Sequence, residues 1–221
     1  MGGVTLSKLE KLCSDANAVL KITAFAGEKF IVASDAMVSM TDTFELKIKS
    51  GGFKKAFGRM FSGQSIFLQE FRAKTDGELI LSSHFLGDIM FKEMDGTKKY
   101  MLGQNTFLAS EGEIELSTKN KGVNGLISGE GIFQVEAEGR GTLCLASYGA
   151  ILYKKLEVGE RFIVDTNHII LRDSDMKYSV EMISTGIASL TGGEGYVMKF
   201  TGPGEVWYQT KNPSYLGQPR T

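Results

Sequence analysis

The sequence contains few residues whose type and spacing could support catalysis or metal binding. The chain has two histidines, His84 and His168, and neither lies in an H-x-H or H-x-x-x-H arrangement. The paired imidazole ligands typical of a zinc protease or of a cupin-type metal site are therefore missing from the pattern. We expect both histidines to be ordinary polar residues at strand ends, and we predict no metal and no other cofactor.

The two cysteines are also expected to be structural. Cys144 lies between two leucines in an apolar run, where a small buried thiol is the usual role of cysteine. Cys13 follows residues 6–12, one of two segments with the length and pattern of a short helix. Neither cysteine has a C-x-x-C partner, and two cysteines in 221 residues build no disulfide framework, which favours a reducing compartment.

Motifs for nucleotide binding and nucleophilic catalysis are missing as well. The chain has no Gly-Lys dipeptide, which a phosphate-binding P-loop requires, and no G-x-S-x-G nucleophile elbow. Its glycine clusters, EGRGT at 138–142 and TGPGE at 201–205, open no predicted helix, and we interpret them as turns between strands. We therefore predict no catalytic residues and a protein that is not an enzyme, while an enzyme with an unrecognised site remains an alternative.

Acidic residues offer two pairs that could act as general acid and base. The pairs are Glu28 with Asp35 and Glu160 with Asp165, each beside the same block of a repeat, and this recurrence favours a role in turns over catalysis. Side chains of aspartate and asparagine can cap the backbone of a turn. We predict this capping role for the polar residues Asp35, Asn105 and Asn167.

Composition limits the classes of protein to which the chain can belong. Of its residues, 42% are hydrophobic, and 25 basic side chains nearly balance 26 acidic ones, for a formal net charge of −1. The chain can bury a core and has no overall charge that attracts nucleic acid or anionic lipid. No apolar run reaches the length of a membrane span, and the first residues lack the apolar region of a signal peptide, so we expect a cytoplasmic protein.

Three blocks of sequence recur in the same order along the chain. The first block comprises residues 30–48, 100–118 and 162–180, which align without a gap. The second block is centred on a glycine in each repeat, namely Gly63, Gly129 and Gly193. The third block begins with a glycine, namely Gly77, Gly141 and Gly204. The order indicates three internal repeats, with boundaries at 1–84 (including an N-terminal segment), 85–146 and 147–221.

Each predicted repeat has the pattern of β-strands. Residues 44–50 and 113–119 alternate apolar and polar side chains with period two, which is typical of strands with one buried face. Helical candidates are limited to residues 6–12 and 51–60. We predict an all-β protein of three tandem β-sandwich or short double-stranded β-helix repeats, whose two open end edges would be closed by homo-oligomerisation into a ring.

These features resemble a known family. The sequence G-E-[KR]-F-I-V occurs at 27–32 and 159–164, S-G-[EQ]-[GS]-I-F at 62–67 and 128–133, and G-P-G-E-V-W-Y-Q-T at 202–210. These motifs resemble those of the "altered inheritance of mitochondria" family, whose members are triplicated from a domain resembling the trp RNA-binding attenuation protein. The resemblance covers roughly residues 15–211. The resemblance implies a homotrimer that presents nine repeats as a pseudo-ninefold ring. Mitochondrial relatives are associated with organisation of the inner membrane, but the chain begins without the pattern of a transit peptide, which favours a bacterial protein.

One segment of the first repeat has no counterpart in the other two. Residues 51–61 interleave cations with aromatic residues, namely Phe53, Lys54, Lys55, Phe57, Arg59 and Phe61. This pattern favours either a subunit interface or a partner-docking loop for a membrane surface, nucleic acid or an acidic protein. The doublets Lys98-Lys99 and Lys154-Lys155 occupy different repeat positions, which argues against a nucleic-acid ring. We predict a non-enzymatic ring-forming scaffold or binding protein, a homotrimer whose protein partner the sequence does not identify.

Overall fold

The computed structural model of the chain describes residues 8–13, 17–48, 68–120, 133–182 and 196–213. These residues form seventeen β-strands and one short 3₁₀ helix, Thr166–His168. In chain order the first nine strands are β1 Lys8–Leu12, β2 Val19–Ala24, β3 Lys29–Ala33, β4 Met37–Met40, β5 Phe44–Ile48, β6 Leu68–Ala73, β7 Gly77–Ser82, β8 Ile89–Asp95 and β9 Tyr100–Leu102. The remaining strands are β10 Phe107–Asn120, β11 Phe133–Ala146, β12 Ile151–Leu156, β13 Arg161–Asp165, β14 Ile169–Asp173, β15 Lys177–Met182, β16 Tyr196–Thr201 and β17 Gly204–Gln209.

Alternation in the sequence accounts for the burial pattern of the strands. In β2, Leu20, Ile22 and Ala24 are fully buried, whereas Lys21 between them points outward and forms an ion pair with Glu78 on β7. Successive side chains of a strand point to opposite faces, so a period of two gives one apolar and one polar face. The all-β prediction is confirmed for the described residues.

The strands pair in the same order in three successive segments of the chain. In the first segment the opening strand β2 pairs with the last strand β7, which also pairs with the third strand β4. The second strand β3 and the fourth strand β5 both pair with the fifth strand β6. The third segment repeats this order with the strands β12 to β17.

The second segment follows the same order with fewer and longer strands. Its strand β10 supplies the third and fourth positions without a break, and β11 supplies the fifth and sixth. Strands β8 and β9 pair with the two halves of β11, as the opening and second strands do in the other segments. Each segment also has an irregular register at the start of its third strand, at Met37/Ser39, Phe107/Ala109 and Ile169/Leu171.

Neighbouring segments are joined by one antiparallel strand pair each. The second strand of the first segment, β3, pairs with β10 of the second, and the second strand of that segment, β9, pairs with β14 of the third. These pairs join ten strands into one sheet, which runs β12-β17-β14-β9-β11-β10-β3-β6-β5 with β8 on β11. Two smaller sheets stand at the ends of the series, β1-β2-β7-β4 and β13-β16-β15.

The buried apolar side chains form three clusters along the chain. The first centres on Phe30 and Phe71, the second on Leu143 and Leu145, and the third on Phe200 with its neighbours from β12 to β17. The first cluster also contains Ile89, Leu108 and Cys144 from the second segment. Apolar burial thus continues across the first junction as well as within each segment.

Two expectations from the sequence are wrong. Residues 6–12, considered as a helix, contain the strand β1, which pairs along its whole length with β2 because Leu9 packs on the first cluster. The EGRGT cluster is not a turn, since Gly139 and Gly141 lie inside the continuous strand β11. Both glycines have positive φ, and a Cβ at either position would collide with a carbonyl oxygen of β10, so glycine allows the two strands to stay paired here. The other helical candidate, 51–60, lies outside the described residues.

Candidate functional site

Among the described strands, β4 and β13 each lack a neighbour that the equivalent strands of the other segments have. Strand β4 pairs only with β7, and strand β13 pairs only with β16. The strands equivalent to β4 are β10 and β14, and those equivalent to β13 are β3 and β9. Each of these four strands has a neighbour on both sides. An uncovered edge presents a row of backbone N–H and C=O groups that can pair with another chain.

Apolar side chains are exposed along both of these edges. Met37, Val38 and Met40 on β4 are 41%, 61% and 39% exposed, and Ile163 on β13 is 55% exposed. The residues that hold the corresponding place at the second junction, Met101 and Arg172, are only 4% and 2% exposed. The apolar side chains of β4 and β13 are therefore much more exposed than their counterparts at the second junction.

The junction between the second and third segments is reinforced by a cluster of charged and aromatic side chains. The ammonium group of Lys92 lies 4.3 Å from the ring centre of Trp207 and 4.7 Å from that of Tyr100, and 3.5 Å from Glu205 Oε2. The hydroxyl of Tyr153 donates a 2.7 Å hydrogen bond to Glu205 Oε1. Half-buried cations over aromatic rings stabilise such a contact more than exposed ion pairs do.

A second set of polar contacts lies at the same junction. The guanidinium of Arg172 lies 4.4 Å from the ring centre of Tyr178 and donates a 3.1 Å hydrogen bond to the carbonyl of Asp173. Lys98 forms a 3.1 Å ion pair with the buried carboxylate of Asp173. This ion pair joins the turn that precedes β9 to β14, so the polar contacts also hold the two segments together.

The hydrogen bond between Tyr153 and Glu205 gives a pH-dependent prediction. Accepting that bond, the Glu205 carboxylate raises the pKa of Tyr153 to about 12. Because the folded pKa lies above the unfolded value of about 10, the contribution to stability is complete below pH 10 and is lost as the pH rises towards 12. We expect Glu205→Gln to shift one tyrosine to a lower pKa in a titration of tyrosinate absorbance, and Tyr153→Phe to remove that component. Identical titrations of the wild type and Glu205→Gln would contradict this assignment.

The structure places the two histidines and the two cysteines on four different elements or turns. His84 is exposed, whereas His168 ends the 3₁₀ helix and its Nδ1 lies 2.7 Å from the carbonyl oxygen of Gln209. Cys144 is buried in β11, and Cys13 is exposed after β1. Among the described residues, no group of three or more histidine, cysteine, aspartate or glutamate side chains is placed to hold a metal ion.

The different environments of the cysteines lead to a second prediction. Burial raises the pKa of the Cys144 thiol, and the charges of Glu111 and Glu93 add to this shift. Since the thiolate is the reactive form, Cys144 should resist a thiol reagent such as DTNB while exposed Cys13 reacts. We expect one reactive thiol per native chain and two after denaturation. If both thiols of the native wild type react rapidly and only one thiol of native Cys144→Ser reacts, then Cys144 is accessible and the prediction is wrong.

The acidic residues proposed for turns are found in turns. Glu28 accepts a 2.7 Å hydrogen bond from the backbone N–H of Phe25, and Glu160 accepts one of 2.9 Å from that of Glu157. Asp165 accepts a 2.8 Å bond from the backbone of the 3₁₀ helix, whereas Asp35 and Asn105 adopt positive φ. The interpretation as turn chemistry is confirmed for the two glutamates and Asp165.

The lysine doublets are engaged with acidic residues of the same chain. Besides the Lys98 ion pair, Lys99 pairs with Glu138, and Lys154 forms a 2.6 Å ion pair with Glu160. The candidate docking residues Phe53, Lys54, Lys55, Phe57, Arg59 and Phe61 lie outside the described residues, so that loop stays a prediction. None of the described helices is long and apolar enough to cross a membrane.

The described residues thus define an all-β protein built from several antiparallel sheets. The chain belongs to the mitochondrial biogenesis AIM24 family, whose model matches residues 10–211. The resemblance drawn from the sequence motifs is thereby confirmed.

Two similar proteins come from Streptococcus pyogenes. An uncharacterised protein of the serotype M6 strain is 28% identical over 197 residues, which span 84% of this chain and 78% of that protein. The X-ray crystal structure of another S. pyogenes protein superimposes with a TM-score of 0.78 at 27% identity, covering 95% of this chain and 96% of that one. The likeness to the crystal structure therefore extends over almost the whole length of both chains.

Proposed function

We propose that the protein is a non-enzymatic scaffold or binding protein that acts as a closed ring of identical chains, each contributing three tandem repeats of one β unit. The observation that carries this proposal is the recurrence of one strand order in three successive segments. Each segment joins the next through a pair of equivalent strands. The same pairing can therefore join a further segment from another copy of the chain.

The contacts between successive segments support the proposal. Two junctions use equivalent strands, β3 with β10 and β9 with β14. A backbone hydrogen bond also recurs where the segments begin, from Ala18 N–H to the Gly87 carbonyl at 3.0 Å and from Asp88 N–H to the Gly149 carbonyl at 3.3 Å. A third junction of the same kind between chains would satisfy both open edges and close the ring.

We further propose that three chains form the ring, since the family resemblance implies nine units in all. Homo-oligomers are most often closed, because a junction that does not close on itself produces filaments. A ring presents the same surface many times over, which suits a protein that gathers or organises a partner. The unmatched sequence of residues 51–61 would then occur once per chain.

Light scattering coupled to size-exclusion chromatography tests this proposal. We expect a mass three times the chain mass of 24.1 kDa, unchanged on dilution through the micromolar range. A mass equal to a single chain would overturn the ring. A dimer would contradict the number of chains, because a twofold pairing would use the edges differently.

A further inference from the structure

We propose that strand β4 of one chain pairs antiparallel with strand β13 of the next, with Met40 opposite Ile163. In this register Ser39 faces Val164 and Thr41 faces Phe162. The inference rests on the proposed ring and specifies the residues that close it. Its partner is a second copy of this chain, whose complementary edge is present in the same structure.

The register follows from the two junctions that exist within the chain. At both junctions the third strand of one segment pairs with the second strand of the segment before it. At the first, Ala109 faces Val32, Ser110 faces Ile31 and Glu111 faces Phe30. At the second, Leu171 faces Leu102, Arg172 faces Met101 and Asp173 faces Tyr100.

Equivalent residues in the three segments are identified by their pairing with the last strand. Ser39 faces Ile80, Ala109 faces Cys144 and Leu171 faces Trp207, and each of these partners lies three residues after the glycine that opens the last strand segment. The second strands align through the matching sequences of residues 30–32, 100–102 and 162–164. When the register of the two internal junctions is applied to β4 and β13, each residue of β4 has one defined partner on β13.

Exposure of the end strands agrees with this register. Met40 and Ile163 are 39% and 55% exposed, and they would cover each other. Their counterparts at the second junction, Arg172 and Met101, are buried by the same kind of contact. A soluble chain seldom leaves apolar side chains on an unpaired strand edge, because such edges associate.

Charge is complementary at the next position of the same register. Asp42 would face Arg161, and both residues are exposed in the single chain. The counterparts at the second junction, Ser174 and Lys99, are joined by a 2.9 Å backbone hydrogen bond. A shift of one residue would place Asp42 opposite Phe162 and would also turn Ile163 to the wrong face of the sheet.

Disulfide trapping tests the register in the full-length protein. In a Cys13→Ser background, Ser39→Cys with Val164→Cys should oxidise to a covalently closed species of three chains, because directly opposed residues of paired strands lie within disulfide reach. The matched control, Ser39→Cys with Ile163→Cys, places the thiols on opposite faces and should remain mostly uncrosslinked. Circular dichroism shows whether each variant is folded.

Each result of this experiment bears on the proposal. Crosslinking of the first pair at least tenfold faster than the control supports the register. Efficient crosslinking of Ser39→Cys alone would indicate a twofold β4 to β4 contact and overturn it. An oligomeric mass without crosslinking of the first pair would overturn the register while leaving the ring intact, whereas a single-chain mass for the wild type would overturn both. If the Val164 variant is unfolded, Thr41→Cys with Phe162→Cys gives the same test.

Discussion

Ile163→Glu is expected to convert the ring to single chains without unfolding them. The side chain is exposed in the isolated chain, so the change costs little stability there. In the proposed junction the new carboxylate would be buried against Met40 without a partner, at a cost of about 2–5 kcal/mol for each contact. This cost weakens each contact about thirtyfold or more, since about 1.4 kcal/mol is a factor of ten.

Light scattering at several concentrations, with circular dichroism to monitor folding, measures this effect. The matched control is Val158→Glu, which introduces the same charge at a side chain that is 83% exposed and lies in the turn between β12 and β13, outside the residues that pair in the proposed register. We expect the control to retain the mass of the wild type. Retention of that mass by Ile163→Glu as well would exclude β13 as the contact strand.

Gly139→Ala is expected to destabilise the fold by about 3 kcal/mol or more. Gly139 has a φ of +114° within the strand β11, and an added Cβ would lie 1.9 Å from the carbonyl oxygen of Glu113 on β10. Strained backbone alone costs about 1–3 kcal/mol, and relief of the clash requires the two strands of the long hairpin to separate. Denaturant unfolding should therefore show a much lower midpoint.

Gly159→Ala is the matched control, because it introduces backbone strain without the steric clash that Gly139→Ala has with β10. Gly159 has a φ of +79°, and no atom lies within 4 Å of the position of its Cβ. We expect this variant to lose only about 1–2 kcal/mol, the cost of a left-handed conformation for alanine. Equal losses in the two variants would show that the contact with Glu113 does not limit the packing of β10 on β11.

The sequence alone predicted the strand content because period-two alternation is a local property. It did not predict β1, whose apolar residues at positions 6, 9 and 12 are spaced as in a helix. Pairing with β2 and contact of Leu9 with the core override that local preference. The long strand β11 was missed for a related reason, since glycine is typical of turns, whereas pairing with β10 on one side and with β8 and β9 on the other keeps this strand continuous.

The candidate edges could not be recognised from residue types. Ile163 has the same chain neighbours as Ile31, phenylalanine before and valine after, yet Ile31 lies in a junction and Ile163 is exposed. What distinguishes them is position in the series, because no described segment follows the one that contains Ile163. The cluster around Lys92 could not be recognised either, since Lys92, Tyr100 and Trp207 come from three separate strands that meet only in the folded chain.

Electron microscopy of the purified wild-type protein tests the central claim most directly, because it reports the arrangement of the units as well as their number. We predict class averages of a closed ring with nine similar lobes, in which each chain occupies three neighbouring lobes and β4 meets β13 at three places. Single three-lobed particles, open filaments or particles with only twofold symmetry would contradict the ring.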